Sequence, residues 1–203
     1  MRQPEAVIFD MDGVLIDSEP IHIEIERKLF DKLGIAVSAE IHRLYLGTAG
    51  DFMYNDIKKR FGLSQSLAEL LEFDEKFRVD YFKSLEVMNL NEGVLNFLTQ
   101  IKRSGIKLAV ATSSSPAMAK TLLERCGIIS FFDAVVTTSE AGKSKPGPEV
   151  YLLAARKIDV NPFNCLVFED SPNGLSAAIN AGSVVLQLKP AASMFWNSQL
   201  LIM

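Results

Sequence analysis

The chain has 203 residues, of which 48% are apolar and 23% charged, and a net charge of −4, enough for one core or for a core carrying a smaller insert. The longest basic run is Lys58-Lys59-Arg60, which argues against nucleic acid and anionic membrane surfaces as partners. Cys126 and Cys165 lack metal-ligand spacing, the first nine residues do not read as a leader, and no stretch reaches about 18 apolar residues. A soluble, monomeric, cytoplasmic protein is expected.

The first element is the apolar run Ala6 to Phe9, which reads as a buried strand. It delivers Asp10 and Asp12 at its carboxyl end, and Gly13 lets the backbone turn there. Ligands of open α/β sheets gather at such strand ends. An Asp at that place can attack phosphorus, and a second Asp two residues on can protonate a leaving oxygen. The same D-x-D-G tetrapeptide also serves as a plain polar turn. An EF-hand loop is excluded, because it needs a preceding helix and its Gly at the sixth position.

Helical spacing follows over Glu19 to Leu33, Ser38 to Leu46, Asp51 to Phe61 and Ser66 to Leu85, with no convincing strand between Asp17 and Val87. An alternating pattern then resumes. It runs helix (Asn91 to Ser104), strand (Ile106 to Ala111), helix (Pro116 to Cys126), strand (Ala134 to Thr137), helix (Pro148 to Ile158), strand (Cys165 to Phe168), helix (Pro172 to Ala181) and strand (Val184 to Leu188). Short β-rich runs separated by helices predict a parallel sheet covered on both faces. The expected fold is therefore α/β, with a Rossmann-like parallel core in 1–17 and 88–203 and a helical cap in 18–87. The apolar tail with Phe195, Trp196 and Leu200 to Ile202 reads as packing or frayed terminus.

Four strand ends carry polar residues. Beyond Asp10 and Asp12, the second strand runs into Thr112-Ser113-Ser114, hydroxyl and N–H donors suited to phosphate oxygens but also to capping the next helix. Lys145, beside Pro146, is the loop lysine placed to hold a phosphate, whereas Lys143 reads as solvated. Glu169 and Asp170 end an apolar strand at a helix start, a pattern that fits a hard cation such as Mg²⁺ or simple dipole-favoured capping. Four carboxylates against one ammonium and one dication leave a net −1 facing a dianionic phosphate ester. Protonating Asp12 relieves the repulsion and supplies the acid that a departing alkoxide needs. Without metal the cluster would repel its substrate.

These residues, in this order, resemble the haloacid dehalogenase superfamily. Asp10-x-Asp12-Gly13-Val-Leu-x-Asp17-Ser18-Glu19 matches its first motif and Thr112 its second. Lys145-Pro146 matches the third, and Glu169-Asp170-Ser171-x-x-Gly174 the fourth. The helical insert is similar to the cap of the β-phosphoglucomutase-like phosphatase branch. The resemblance implies Asp10 as nucleophile and Mg²⁺ ligand, and Asp12 as general acid/base with its carbonyl on the metal. It implies Thr112 and Lys145 around the phosphoryl group, where the run after Thr112 adds Ser113, and Glu169 and Asp170 completing the metal site. His22 matches a cap-facing His of the mutases, placed to aid proton transfer or to contact a sugar hydroxyl of the substrate. An acid at Asp12 argues against the dehalogenase and phosphonate-hydrolysing branches.

The mutases of this branch place an Arg just after the Gly of the segment matching Leu46-Gly47-Thr48-Ala49-Gly50-Asp51, and here no Arg stands between Gly47 and Arg60. A bidentate phosphate clamp is not readily replaced, although Lys76 and Arg78 remain as substitutes. The expected function is a Mg²⁺-dependent phosphatase of a small sugar or polyol phosphate. A sugar-phosphate mutase and a non-catalytic metal- and phosphate-binding regulator are the alternatives.

Overall fold

Strand β1 (Ala6–Phe9) is apolar at every position and fully buried, which only a central strand covered on both faces permits. The structure, a computed structural model, describes residues 3–45 and 50–188. The apolar tail and Leu46 to Ala49 of the segment where the mutases carry an Arg lie outside the described residues.

Strands β2 (Lys107–Thr112) and β4 (Cys165–Glu169) flank β1 in parallel, with β3 (Ala134–Thr137) beyond β2 and β5 (Val184–Gln187) beyond β4. The order β3-β2-β1-β4-β5 makes the chain wind outward in both directions from β1. The switch point lies at the carboxyl end of β1, where such sheets bind ligands. Phe9 pairs in register with Val110 and Phe168, so Asp10, Thr112 and Glu169 all emerge at one sheet edge. Both β2 and β4 run one residue further than their apolar stretches, so Thr112 and Glu169 are strand residues.

The chain packs as two compact units, one formed by the residues through Ser18 together with those from Glu86 onward, the other by Glu19–Leu85. In the sheet unit the helices are α5 (Val94–Arg103), α6 (Pro116–Arg125), α7 (Thr138–Ala141), α8 (Glu149–Lys157) and α9 (Pro172–Asn180). One face of the sheet buries Ile8, Ala109, Val136 and Val167 against Val150, Tyr151 and Ala154 of α8 and Ala177 and Ala178 of α9. On the aromatic side, Phe9 stacks on Phe168 at 5.3 Å and Phe97 of α5 meets both rings edge-on. Helix α5 begins at Val94, three residues later than its spacing implies, because Gly93 takes the left-handed conformation (φ 84°) before it. The short helix α7 was not legible as periodicity; Thr137 caps it by accepting from the Glu140 N–H, and Gly142 (φ 81°) ends it.

The second unit holds α1 (Glu19–Lys32), α2 (Ala39–Arg43), α3 (Gly50–Phe61) and α4 (Leu67–Ser84) around Phe30, Tyr45, Met53, Tyr54, Ile57 and Leu70. Ser66 and Glu69 form a reciprocal capping box that starts α4. Arg78 ties α4 to α1. It donates to Asp74 (2.7 Å) and Glu26 (3.2 Å) and meets His22 Nδ1 at 3.2 Å. Glu26 also meets His42 Nε2 (2.7 Å), and Tyr54 donates to Asp74 (2.8 Å). Among the described residues, no helix is long and apolar enough to cross a membrane.

Candidate active site

Asp10 continues the line of β1, its N–H bonded to the Phe168 carbonyl (3.0 Å), and its side chain is nearly buried. The Lys145 ammonium reaches it from the loop after α7. Nζ donates to Asp10 Oδ1 (2.5 Å), Glu169 Oε2 (2.8 Å) and the Ala111 carbonyl (3.2 Å), so its three N–H groups have three partners. Burial pulls the ammonium's pKa down, but Asp10 and Glu169 outweigh it and hold the group above its ordinary range. Asp10 itself is pushed well up by burial, with Lys145 opposing and Glu169 and Asp12 adding to the rise.

After Asp10 the chain turns at Gly13 (φ 78°), whose N–H bonds the Ile16 carbonyl at 2.9 Å. The Asn91 amide closes the turn by donating to the carbonyls of Gly13 (2.8 Å) and Val14 (2.9 Å). A Cβ at Gly13 would strike the Asp170 carboxylate, so glycine is required there for both conformation and space. Inside this turn the Asp12 carboxylate accepts from Ser18 Oγ (2.6 Å) and Ser114 Oγ (2.7 Å).

Glu169 is almost fully buried and closely surrounded. Its Oε1 accepts from the N–H groups of Asp170 and Ser171 and from Ser171 Oγ, each at 3.0 Å. Its Oε2 accepts from Lys145 and from the buried Tyr151 hydroxyl at 2.6 Å. Burial raises its pKa, but Lys145 and the other donors prevail, and the group stays ionised below its usual range. Asp170 is pushed up to about 6, first by burial and then by the charge of Glu169.

Oxygens of Asp10, Glu169 and Asp170 lie within 4.8 Å of one another, the one such acidic group among the described residues. Asp10 and Asp170, both pushed upward, mark a place short of positive charge, and an all-oxygen donor set suits a hard cation such as Mg²⁺.

The structure thus brings together Asp10, Asp12, Thr112, Lys145, Glu169 and Asp170 at one sheet edge. Thr112 is buried and its Oγ1 accepts from the Ser114 N–H (3.0 Å). Ser113 is exposed; the hydroxyl of that run on Asp12 is Ser114's. Lys143 pairs with Glu149 at 3.3 Å. His22 belongs to the helical unit, beside Arg78 and edge-on to Phe82. Sequence reasoning assigned no role to Tyr151, Ser18 or Asn91, and read Ser114 as a donor to phosphate or a helix cap rather than as a partner of Asp12. Ser18 stands within the quoted first motif, but Tyr151 reads as an ordinary core aromatic of α8 and Asn91 as a helix start.

A model of the haloacid dehalogenase-like hydrolases matches residues 4–182. The chain belongs to this family. It is 37% identical over 186 residues to a phosphorylated carbohydrates phosphatase of Thermotoga maritima, covering 88% of this chain and 82% of the relative. It is 31% identical over 183 residues to a β-phosphoglucomutase of Bacillus subtilis, with 88% and 80% covered. The crystal structure of CbbY from Rhodobacter sphaeroides in complex with xylulose-1,5-bisphosphate superposes with a TM-score of 0.78 at 27% identity, over 97% of this chain and 89% of that one. The family match and the phosphatase relative support a phosphoric monoester hydrolase, and the sheet order is the α/β core of this family.

Proposed function

We propose that the chain is a Mg²⁺-dependent phosphatase that hydrolyses a small sugar or polyol phosphate through a phosphoryl group carried on Asp10. The observation that carries this reading is the Lys145 ammonium bonded to Asp10 Oδ1 at the switch point, with the Asp12 carboxylate held by two hydroxyls two residues on. Asp10 attacks phosphorus in line, and Asp12 gives its proton to the leaving alcohol. Asp12 then takes a proton from the water that hydrolyses the acyl phosphate. Lys145, Thr112 and the donors of the Ser113 loop receive the phosphoryl oxygens.

Asp10, Asp170 and the backbone carbonyl of Asp12, with Glu169 completing the acidic group, would hold Mg²⁺, which when bound offsets the carboxylates and the incoming phosphate. In this reading residues 18–87 act as a cap that selects the substrate, with His22 as a substrate contact. The partner is a small phosphorylated metabolite met in the cytoplasm by a monomer.

A mutase is the second reading, favoured by the relative of that name. Arg78 supports the phosphatase instead, because its guanidinium is committed to Asp74, Glu26 and His22 within the helical unit and is a poor substitute for a phosphate clamp. The test is phosphate release from a panel of sugar phosphates that includes β-glucose 1-phosphate, with EDTA as control and glucose 6-phosphate followed in parallel. Metal-dependent phosphate release is expected. Glucose 6-phosphate formed without free phosphate would establish the mutase and overturn the reading.

A further inference from the structure

We propose that Tyr151 is a positioning residue for the site, acting through Glu169 to fix how the Lys145 ammonium is shared with Asp10. The proposal rests on the phosphatase reading for its kinetic arm only.

Tyr151 lies on the buried face of α8, where a Phe would satisfy packing equally well, yet it places a hydroxyl 2.6 Å from Glu169 Oε2. That oxygen is also the one that Lys145 uses (2.8 Å), and the ammonium itself stands 5.0 Å above the Tyr151 ring. With three donors on Oε1, Glu169 accepts from five groups in all, against about four lone-pair sites on a carboxylate. Glu169 is therefore saturated, and Lys145 is the cation among these five donors.

The hydroxyl takes part of the negative charge of Oε2 and so weakens the pull of Glu169 on the ammonium. The remainder of the ammonium's interaction falls on Asp10 Oδ1 at 2.5 Å. Removing the hydroxyl leaves Lys145 as the sole donor to Oε2 among these contacts. The ammonium then shifts toward Glu169, away from Asp10 and from the place of the phosphoryl group. The ring stays, so the core and the ring face under the ammonium are retained.

The experiment is Tyr151→Phe in the full chain, alone and combined with Glu169→Gln. Turnover is measured with Mg²⁺, and orthovanadate binding with Mg²⁺ is followed by calorimetry. Loss of a hydrogen bond to a charged group is read as about a tenfold change. Tyr151→Phe should lower kcat and orthovanadate affinity by about that factor, with KM changed far less and the melting temperature nearly kept. In the Glu169→Gln background the same substitution should have little further effect, because the route through Glu169 is already broken. Unchanged kcat and orthovanadate affinity in Tyr151→Phe would overturn the proposal, as would a full additional loss in the double variant. Failure of the wild type to turn over any phosphate ester would count against the phosphatase reading, while the orthovanadate arm would still decide the role of Tyr151.

Discussion

Gly174, in the first turn of α9, separates a local rule from a tertiary one. Helix propensity favours Gly→Ala by about 1 kcal/mol. Here, however, an added Cβ would fall on the Glu169 carboxylate. To make room, Glu169 must leave the Tyr151 hydroxyl (2.6 Å), the Lys145 ammonium (2.8 Å) and the donors of Asp170 and Ser171 (3.0 Å). Breaking a buried ion pair of this kind costs about 3–5 kcal/mol. Subtracting the propensity gain leaves about 3 kcal/mol, or roughly 6–12 °C in melting temperature for a chain of this size. Gly105→Ala is the contrasting variant, since Gly105, unlike the helical Gly174, carries a left-handed φ (77°) and has nothing within 4 Å of its added Cβ. Its cost is that of the left-handed conformation alone, about 1–2 kcal/mol. Thermal unfolding of the two variants beside the wild type is the assay. A Gly174→Ala protein as stable as the wild type, or more so, would refute the account of how Glu169 is seated.

The remaining predictions concern the phenols, the helical unit and the metal. All four tyrosines titrate above their ordinary value: burial pushes Tyr45 up to about 12 and Tyr54 and Tyr151 further, and the bond to Glu24 raises Tyr81. The folded state therefore holds phenolic protons that the unfolded chain loses near pH 10, so stability present below about pH 10 falls as pH rises through the native values. Absorbance titration should show phenolate appearing together with alkaline unfolding; three or four phenols ionising near pH 10 in the folded protein would contradict the burial. Arg78→Met should leave Glu26 and Asp74 facing one another without their shared cation, at a cost of about 3 kcal/mol. Hydrogen exchange should speed up in α1 and α4 and not in the sheet; equal acceleration in both units would argue against a local network. Mg²⁺ should raise the melting temperature of the wild type, EDTA should reverse the rise, and Asp170→Asn should abolish it; an undiminished rise in that variant would remove Asp170 from the metal site.

Much of this was legible in the sequence because parallel strands announce themselves. Apolar runs such as Ala6–Phe9 and Cys165–Phe168 have no polar face to hide, and the polar residues that follow them land at one sheet edge by the register alone. Asp10, Asp12, Thr112, Glu169 and Asp170 could be placed together for that reason, and Lys145 by its place beside Pro146 in the loop after the third strand. What could not be read is what each oxygen touches. The hydroxyls of Ser18 and Ser114 on Asp12, and the Tyr151 hydroxyl on Glu169, depend on distances between residues 6, 102 and 18 positions apart. Asn91 looked like the start of a helix, yet its amide binds a turn 77 and 78 residues earlier and the helix begins after Gly93. Helix α7 is four residues long, too short for any period to show, and is set by the Thr137 cap. Arg78, open to a reading as a phosphate clamp, is committed to the helical unit because the packing of α1 and α4 sets Glu26 and Asp74 around it.

The central claim is that Asp10 carries the phosphoryl group. Acid-quenching the wild type during turnover of a sugar phosphate with Mg²⁺, followed by mass spectrometry of its peptides, tests it most directly. The account predicts a phosphoryl adduct on the peptide that contains Asp10, absent with EDTA and absent in Asp10→Asn, which should be folded and inactive. Sustained phosphate release by Asp10→Asn, with no adduct on that peptide in either protein, would contradict it.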